Sequence, residues 1–113
     1  MDKVVNFLKT IADKNRLSIL FLLKDRELCV CELMQIIPLT QGALSIQLKN
    51  LANINLLVSR KEGKWVFYKL ANDIDVSYKN ILNQLFLEMT NNKGDLFIEI
   101  LKNTKIKEQI CKN

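Results

Sequence analysis

Residues 39–70 read LTQGALSIQLKNLANINLLVSRKEGKWVFYKL, and how that stretch divides decides the fold. Thr40 is a capping residue type, since its hydroxyl can accept a backbone N–H from a first helical turn. Behind it Leu44, Leu48 and Leu51 recur at i, i+4 and i+7, so they share one helical face and point toward a core. The opposite surface then carries Gln41, Gly42, Ser45, Gln47 and Lys49, with Ile46 as an apolar exception. After Asn55 the period changes. Residues 57–61 and 64–70 are two β-prone runs, the second rich in aromatic residues, and they meet around Glu62-Gly63, a hairpin signal. Arg60, Lys61 and Lys64 crowd its tip, so the hairpin projects positive charge.

Upstream, Val4, Val5, Phe7, Leu8 and Ile11 predict a first helix over about residues 2–12. Asp13 and Asn15 are cap formers for a second, carrying Leu17, Leu20, Phe21 and Leu23 to about Lys24. Glu27 to Cys31 alternates as a short extended entry, which puts Leu28 and Val30 on the core side and Cys29 and Cys31 on the other. A short helix follows with Val30, Leu33, Met34 and Ile37 on its inner face, and Pro38 stops it. Short helix, brief turn and second helix with a polar outer face make a helix-turn-helix. Downstream, Val76, Ile81, Leu82, Leu85, Phe86 and Met89 predict a strongly apolar helix ending near Thr90, and Asp95 caps a last one with Leu96, Ile98, Ile100 and Leu101. The fold class is mainly α (α+β): a winged helix-turn-helix with a two-stranded β-hairpin wing.

At 113 residues with 49% hydrophobic and 26% charged residues, the chain reads as a single soluble domain over residues 1–113, small enough that a partner subunit would help its core. The formal charge of +5, or +10 for two copies, suits a polyanion. No N-terminal apolar run or cleavage site marks a leader, and no stretch approaches the roughly 18 apolar residues of a membrane span. The expected compartment is the reducing cytoplasm, where cysteines bind metals or do redox chemistry more often than they staple folds. The chain holds no histidine, which excludes His-based general-base catalysis and any His-containing zinc site.

The segments LKTIADKNRLSIL, ELCVCEL, LTQGALSIQLKNL and SRKEGKWVFYKL, spanning Leu8 to Leu70, closely resemble the ArsR/SmtB family of winged-helix metalloregulators. ELCVCEL is the most specific piece and resembles the thiol site of the arsenic-responsive branch. The resemblance implies a homodimeric repressor, joined through its terminal helices, that leaves its operator when a thiophilic ion binds. Three departures stand out. Met34 occupies the place where the arsenic branch often carries a third cysteine; Ile46 or Gln47 stands where many relatives carry histidine in the recognition helix; and the N-terminal cysteine extension of cadmium- and lead-sensing relatives is absent.

Chemistry constrains the thiols further. Residues i and i+2 point about 200° apart in a helix, but lie on one face of an extended segment with Cα atoms about 6.6–7 Å apart. One ion therefore takes Cys29 and Cys31 together only where the backbone is not regular helix. Soft thiolates select thiophilic ions, and As(III) or Sb(III) is the expected effector, with no organic cofactor. Such an ion wants three sulfurs; Cys111, a small cellular thiol or hydroxide would complete the set. For DNA, Thr40 is expected on a phosphate, Gln41, Ser45, Ile46 and Gln47 near bases, Gly42 at a close backbone approach and Lys49 on the backbone, with Arg60, Lys61 and Lys64 on phosphates or the minor groove. A C2 dimer reads a pseudo-palindromic operator. The same fold also accommodates Cd(II)- or Pb(II)-sensing, thiol-redox sensing, or DNA binding with no effector. A dithiol enzyme is disfavoured, because CxxC spacing and a thioredoxin-like pattern are both missing.

Overall fold

Asp13 starts the second helix, as its residue type predicts: its carboxylate accepts the Arg16 N–H at 3.0 Å. The computed structural model describes residues 1–91 together with Asp95 and Glu99. Its elements in chain order are α1 Asp2–Ile11, α2 Lys14–Leu22, β1 Leu28–Cys29, α3 Val30–Leu33, α4 Gln41–Asn53, β2 Leu57–Glu62, β3 Trp65–Leu70 and α5 Val76–Asn91. Of the last predicted helix, only the Glu99 N–H donating to the Asp95 carbonyl at 3.0 Å falls within the description; Leu96, Ile98, Ile100, Leu101 and Cys111 lie outside the described residues.

The core gathers where the apolar periodicities converge. Leu44, Leu48 and Leu51 of α4 are fully buried, together with Ile19, Leu20 and Leu23 from the α2 segment, Leu33 and Ile37 around α3, and Leu82 of α5. Phe7 stacks on Tyr78 with ring centroids 4.2 Å apart, and Phe21 meets Phe86 edge-on at 5.9 Å, so α5 lies against both N-terminal helices. The apolar run of α5 splits: Leu82, Phe86 and Met89 are buried, while Val76, Ile81 and Leu87 stay exposed, as do Val4 and Leu8 on α1.

The wing is built as predicted but is not alone. β2 and β3 pair antiparallel from Leu57↔Leu70 to Glu62↔Trp65. Gly63 has φ +60 and Lys64 does not enter that region, the requirement of a two-residue type II′ turn. A third strand joins the other edge, since Leu28 pairs with Tyr68 and Cys29 with Phe67, giving the order β1-β3-β2. The wing is thus the outer part of a three-stranded sheet whose inner edge carries the dithiol segment.

Two expectations need correction. The extended entry stops at Cys29, and Val30 and Cys31 already belong to α3. Met34 is exposed rather than core. The chain tightens after Leu33, whose carbonyl accepts from Ile36 at 3.0 Å and from Ile37 at 2.9 Å, and Ile37 keeps its expected inward place while Met34 does not.

The end of α4 explains where the period changes. Asn55 adopts φ 62, the Leu56 N–H donates to the Leu51 carbonyl at 3.1 Å and the Asn55 N–H to Ala52 at 3.0 Å. These two bonds form a Schellman cap with Asn55 in the left-handed position, and the buried Leu51 and Leu56 supply its apolar contact. Asn tolerates this conformation and a β-branched residue does not. Asn55→Val is therefore expected to lower unfolding free energy by about 1–2 kcal/mol in urea titration, whereas Asn55→Gly should leave it equal or higher.

Candidate functional site

Cys29 holds two positions at once. It is the last residue of β1 and the N-cap of α3, with extended backbone at φ −90 and ψ 173. Its sulfur accepts the Glu32 N–H, while the Glu32 carboxylate accepts the Cys29 N–H at 2.9 Å. This is a capping box in which sulfur replaces the usual hydroxyl. Glu32 is only 2% exposed, yet no buried side-chain oxygen or nitrogen among the described residues lacks a partner.

The face expected from the alternation is observed. Leu28 and Val30 pack on the main core, while Cys29, Cys31, Phe67 and Trp65 form a separate cluster on the other side of the sheet. Cys29 is 4% exposed and Cys31 half-buried; both are free thiols. Burial pushes the Cys29 thiol above its ordinary value; the Glu32 N–H pulls it partly back and the Glu32 carboxylate adds to the rise. The site offers two soft donors to a thiophilic ion. Among the described residues no three Cys, His, Asp or Glu side chains group as a metal site, and Cys111 lies outside that set.

The surface expected to face DNA is that of α4. Thr40 caps it, accepting the Ala43 N–H at 3.2 Å. Gln41, Gly42 and Lys49 are exposed, Ser45 is half-buried, and Ile46 stands 59% exposed on the outer face. Nothing would meet a Cβ added at Gly42, so the backbone there is bare toward solvent. Gln47 differs from its neighbours. Its side-chain oxygen accepts from Arg16 at 2.7 Å, and Arg16 also donates to the carbonyls of Lys9 and Thr10. Gln47 is therefore held in place across the gap between α2 and α4.

On the wing, Lys61 and Lys64 are exposed, with the Lys64 ammonium 5.6 Å from the Trp65 ring centroid. Arg60 is held by two carboxylates and a ring. Glu27 accepts from its Nε at 2.8 Å and its Nη2 at 2.6 Å, Glu62 takes Nη1 at 2.8 Å, and the guanidinium lies 4.7 Å from the Phe67 ring centroid. The two carboxylates, Glu27 first, hold its charge more firmly than usual.

Sequence reasoning missed Glu32, Glu27, Arg16 and the Phe67–Trp65 cover over the thiols. For Glu32 a signal was present, since Cys29-x-x-Glu32 has the spacing of a capping box. The others depend on pairing register and on contacts between distant segments, which no local pattern encodes.

Comparison with known proteins agrees with this geometry. Residues 13–59 match the family described as bacterial regulatory protein, arsR family. The arsenical resistance operon repressor of Staphylococcus xylosus is 33% identical over 106 residues, covering 94% of this chain and 86% of that protein. The arsenical resistance operon repressor of Escherichia coli K12 is 37% identical over 81 residues, 71% of this chain and 69% of its own length. The structure of reduced HlyU from Vibrio cholerae, a protein named as a transcriptional activator, superposes with a TM-score of 0.67 at 38% identity, covering 77% of this chain and 88% of that one. A winged helix with a capped, polar-faced α4 and a basic hairpin, matched over most of its length by DNA-binding regulators, places the chain in the arsR family of bacterial transcriptional regulators.

Proposed function

We propose that the chain is a cytoplasmic repressor that binds a pseudo-palindromic operator as a homodimer and releases it when As(III) or Sb(III) is taken by Cys29 and Cys31. The observation that carries this reading is the double role of Cys29, a soft donor whose sulfur also caps the first helix of the DNA-binding motif. The exposed apolar residues of α1 and α5, Val4, Leu8, Val76, Ile81 and Leu87, suit burial against a second copy. Two recognition helices about 34 Å apart then meet successive major grooves.

Cys31 lies inside the first turn of α3 and Cys29 just before it, so bringing both sulfurs to one centre re-angles that turn. The Glu32 N–H then loses its acceptor, a sulfur cap weaker than the about 1 kcal/mol of an oxygen one. Because α3 packs against α4, the disturbance reaches the recognition helix, and a coupling of about 1–3 kcal/mol is the usual scale for such linkage. Cys111 is the proposed third sulfur.

Thiol protonation favours arsenic or antimony over cadmium or lead. Burial raises the Cys29 pKa, so this thiol holds its proton at neutral pH. A divalent cation must expel thiol protons, Cd²⁺ + 2 RSH giving Cd(SR)₂ + 2 H⁺. Arsenous acid brings its own hydroxides, As(OH)₃ + 2 RSH giving (RS)₂AsOH + 2 H₂O, and no net proton is released. Below the ordinary thiol pKa of about 8.5, cadmium affinity should therefore rise about a hundredfold per pH unit, while arsenite affinity should stay flat. Competition titrations across that range check this.

The deciding experiment measures operator affinity at fixed salt, on a duplex selected from a random-sequence pool. Saturating arsenite should weaken binding by about tenfold or more; unchanged affinity would overturn the reading. Cys29→Ser should keep DNA binding, because serine is itself a good N-cap, and should lose the response to arsenite. Cys31→Ser should lose it likewise.

A further inference from the structure

Cys29, Phe67 and Arg60 stand in one row across the sheet, since Phe67 is the direct partner of Cys29 on one side and of Arg60 on the other. Residues directly opposite in antiparallel strands share a face, so all three lie on the face that carries the thiols. Glu27, two residues before Cys29, belongs to that face by the period of extended backbone. Its carboxylate reaches across to take two of the three guanidinium nitrogens of Arg60, and Glu62 takes the third. The aromatic ring between them stacks on the guanidinium and covers Cys29 in the same cluster.

We propose that Arg60 is a positioning residue, not a phosphate contact: with Glu27 it braces the wing against the dithiol strand, so that wing and thiols move together. Three of its five N–H donors are committed to two carboxylates, whose negative charge also opposes a phosphate at the remaining two. The wing's phosphate contacts then fall to Lys61 and Lys64, which lie nearer its tip. Exposed ion pairs add little stability, and Arg60 is 51% exposed. The consequence of this one is geometric, because it joins the outermost strand to the residue leading into Cys29. This rests on the thiols being the sensing site, but it is tested without arsenite, so failure of one reading does not carry the other.

Two measurements on the full chain decide it. The first is the salt dependence of binding to a mixed-sequence duplex, where each phosphate contact contributes about 0.9 to the log–log slope, or about 1.8 for a residue present twice in a dimer. Lys61→Gln and Lys64→Gln should each flatten the slope by about that amount, and Arg60→Gln should leave it unchanged. A loss for Arg60→Gln equal to that of the lysines overturns the proposal. The second is the rate at which iodoacetamide alkylates Cys29 in DNA-free protein. Glu27→Gln and Arg60→Gln should each speed it, up to about fivefold on the scale of exposed ion pairs, and the double variant should add nothing more. Arg60→Lys should behave like Arg60→Gln, because one ammonium cannot reproduce the planar fork and the ring stacking. Lys61→Gln should have no effect. Unchanged alkylation in both Glu27→Gln and Arg60→Gln, or full rescue by lysine, overturns the brace.

Discussion

A carboxylate removed from water is costly unless its oxygens are paired, and Glu32 meets that constraint by closing on the backbone of Cys29. That single reciprocal pair fixes where β1 ends, where α3 begins and where the Cys29 sulfur sits. The remaining geometry follows in both directions along the chain. Forward, α3 and the tightened turn through Ile37 set the approach to Pro38 and Thr40, and so the pose of the recognition helix. Backward and sideways, β1 docks on β3 and carries the wing. A chemical event at the thiols therefore has two structural outlets, one through helix packing and one through the sheet.

Much of this was legible in the residues. Leu44, Leu48 and Leu51 at helical spacing, the Thr40 cap and the break after Asn55 are local signals, and each has its structural counterpart. The hairpin was equally clear, because Gly63 between two β-prone runs needs no distant partner to be recognised. The dithiol face was read correctly from alternation alone, although the strand proved shorter than the pattern suggested. What stayed hidden was tertiary. Nothing in the Glu27 neighbourhood announces Arg60 some thirty positions on, and nothing around Gln47 announces Arg16. Met34 misled for a related reason: its spacing fits the inner face of a regular helix, but the chain leaves that geometry after Leu33.

The relatives carry the same scaffold under different named roles. Matches at similar identity include arsenical repressors and HlyU, which is named an activator. What the family shares is the DNA-reading scaffold; what differs is the chemistry fixed beside it. Beside the scaffold of this chain lies a pair of thiols, with no histidine anywhere in the sequence, one of them screened from water by Phe67 and Trp65. Such a site is poorly suited to borderline ions that prefer imidazole and better suited to species that form strong bonds to sulfur.

The absence of any spacer between β1 and α3 has an evolutionary corollary. Loops elsewhere in the domain can lengthen or shorten with little penalty, but one residue gained or lost at this junction would rotate everything after it by about 100°. Leu33 would leave the core and Glu32 would miss its backbone donor. Descendants of this sequence are thus free to exchange side chains at the junction, and so to retune the chemistry of the thiol pair, while indels there are forbidden.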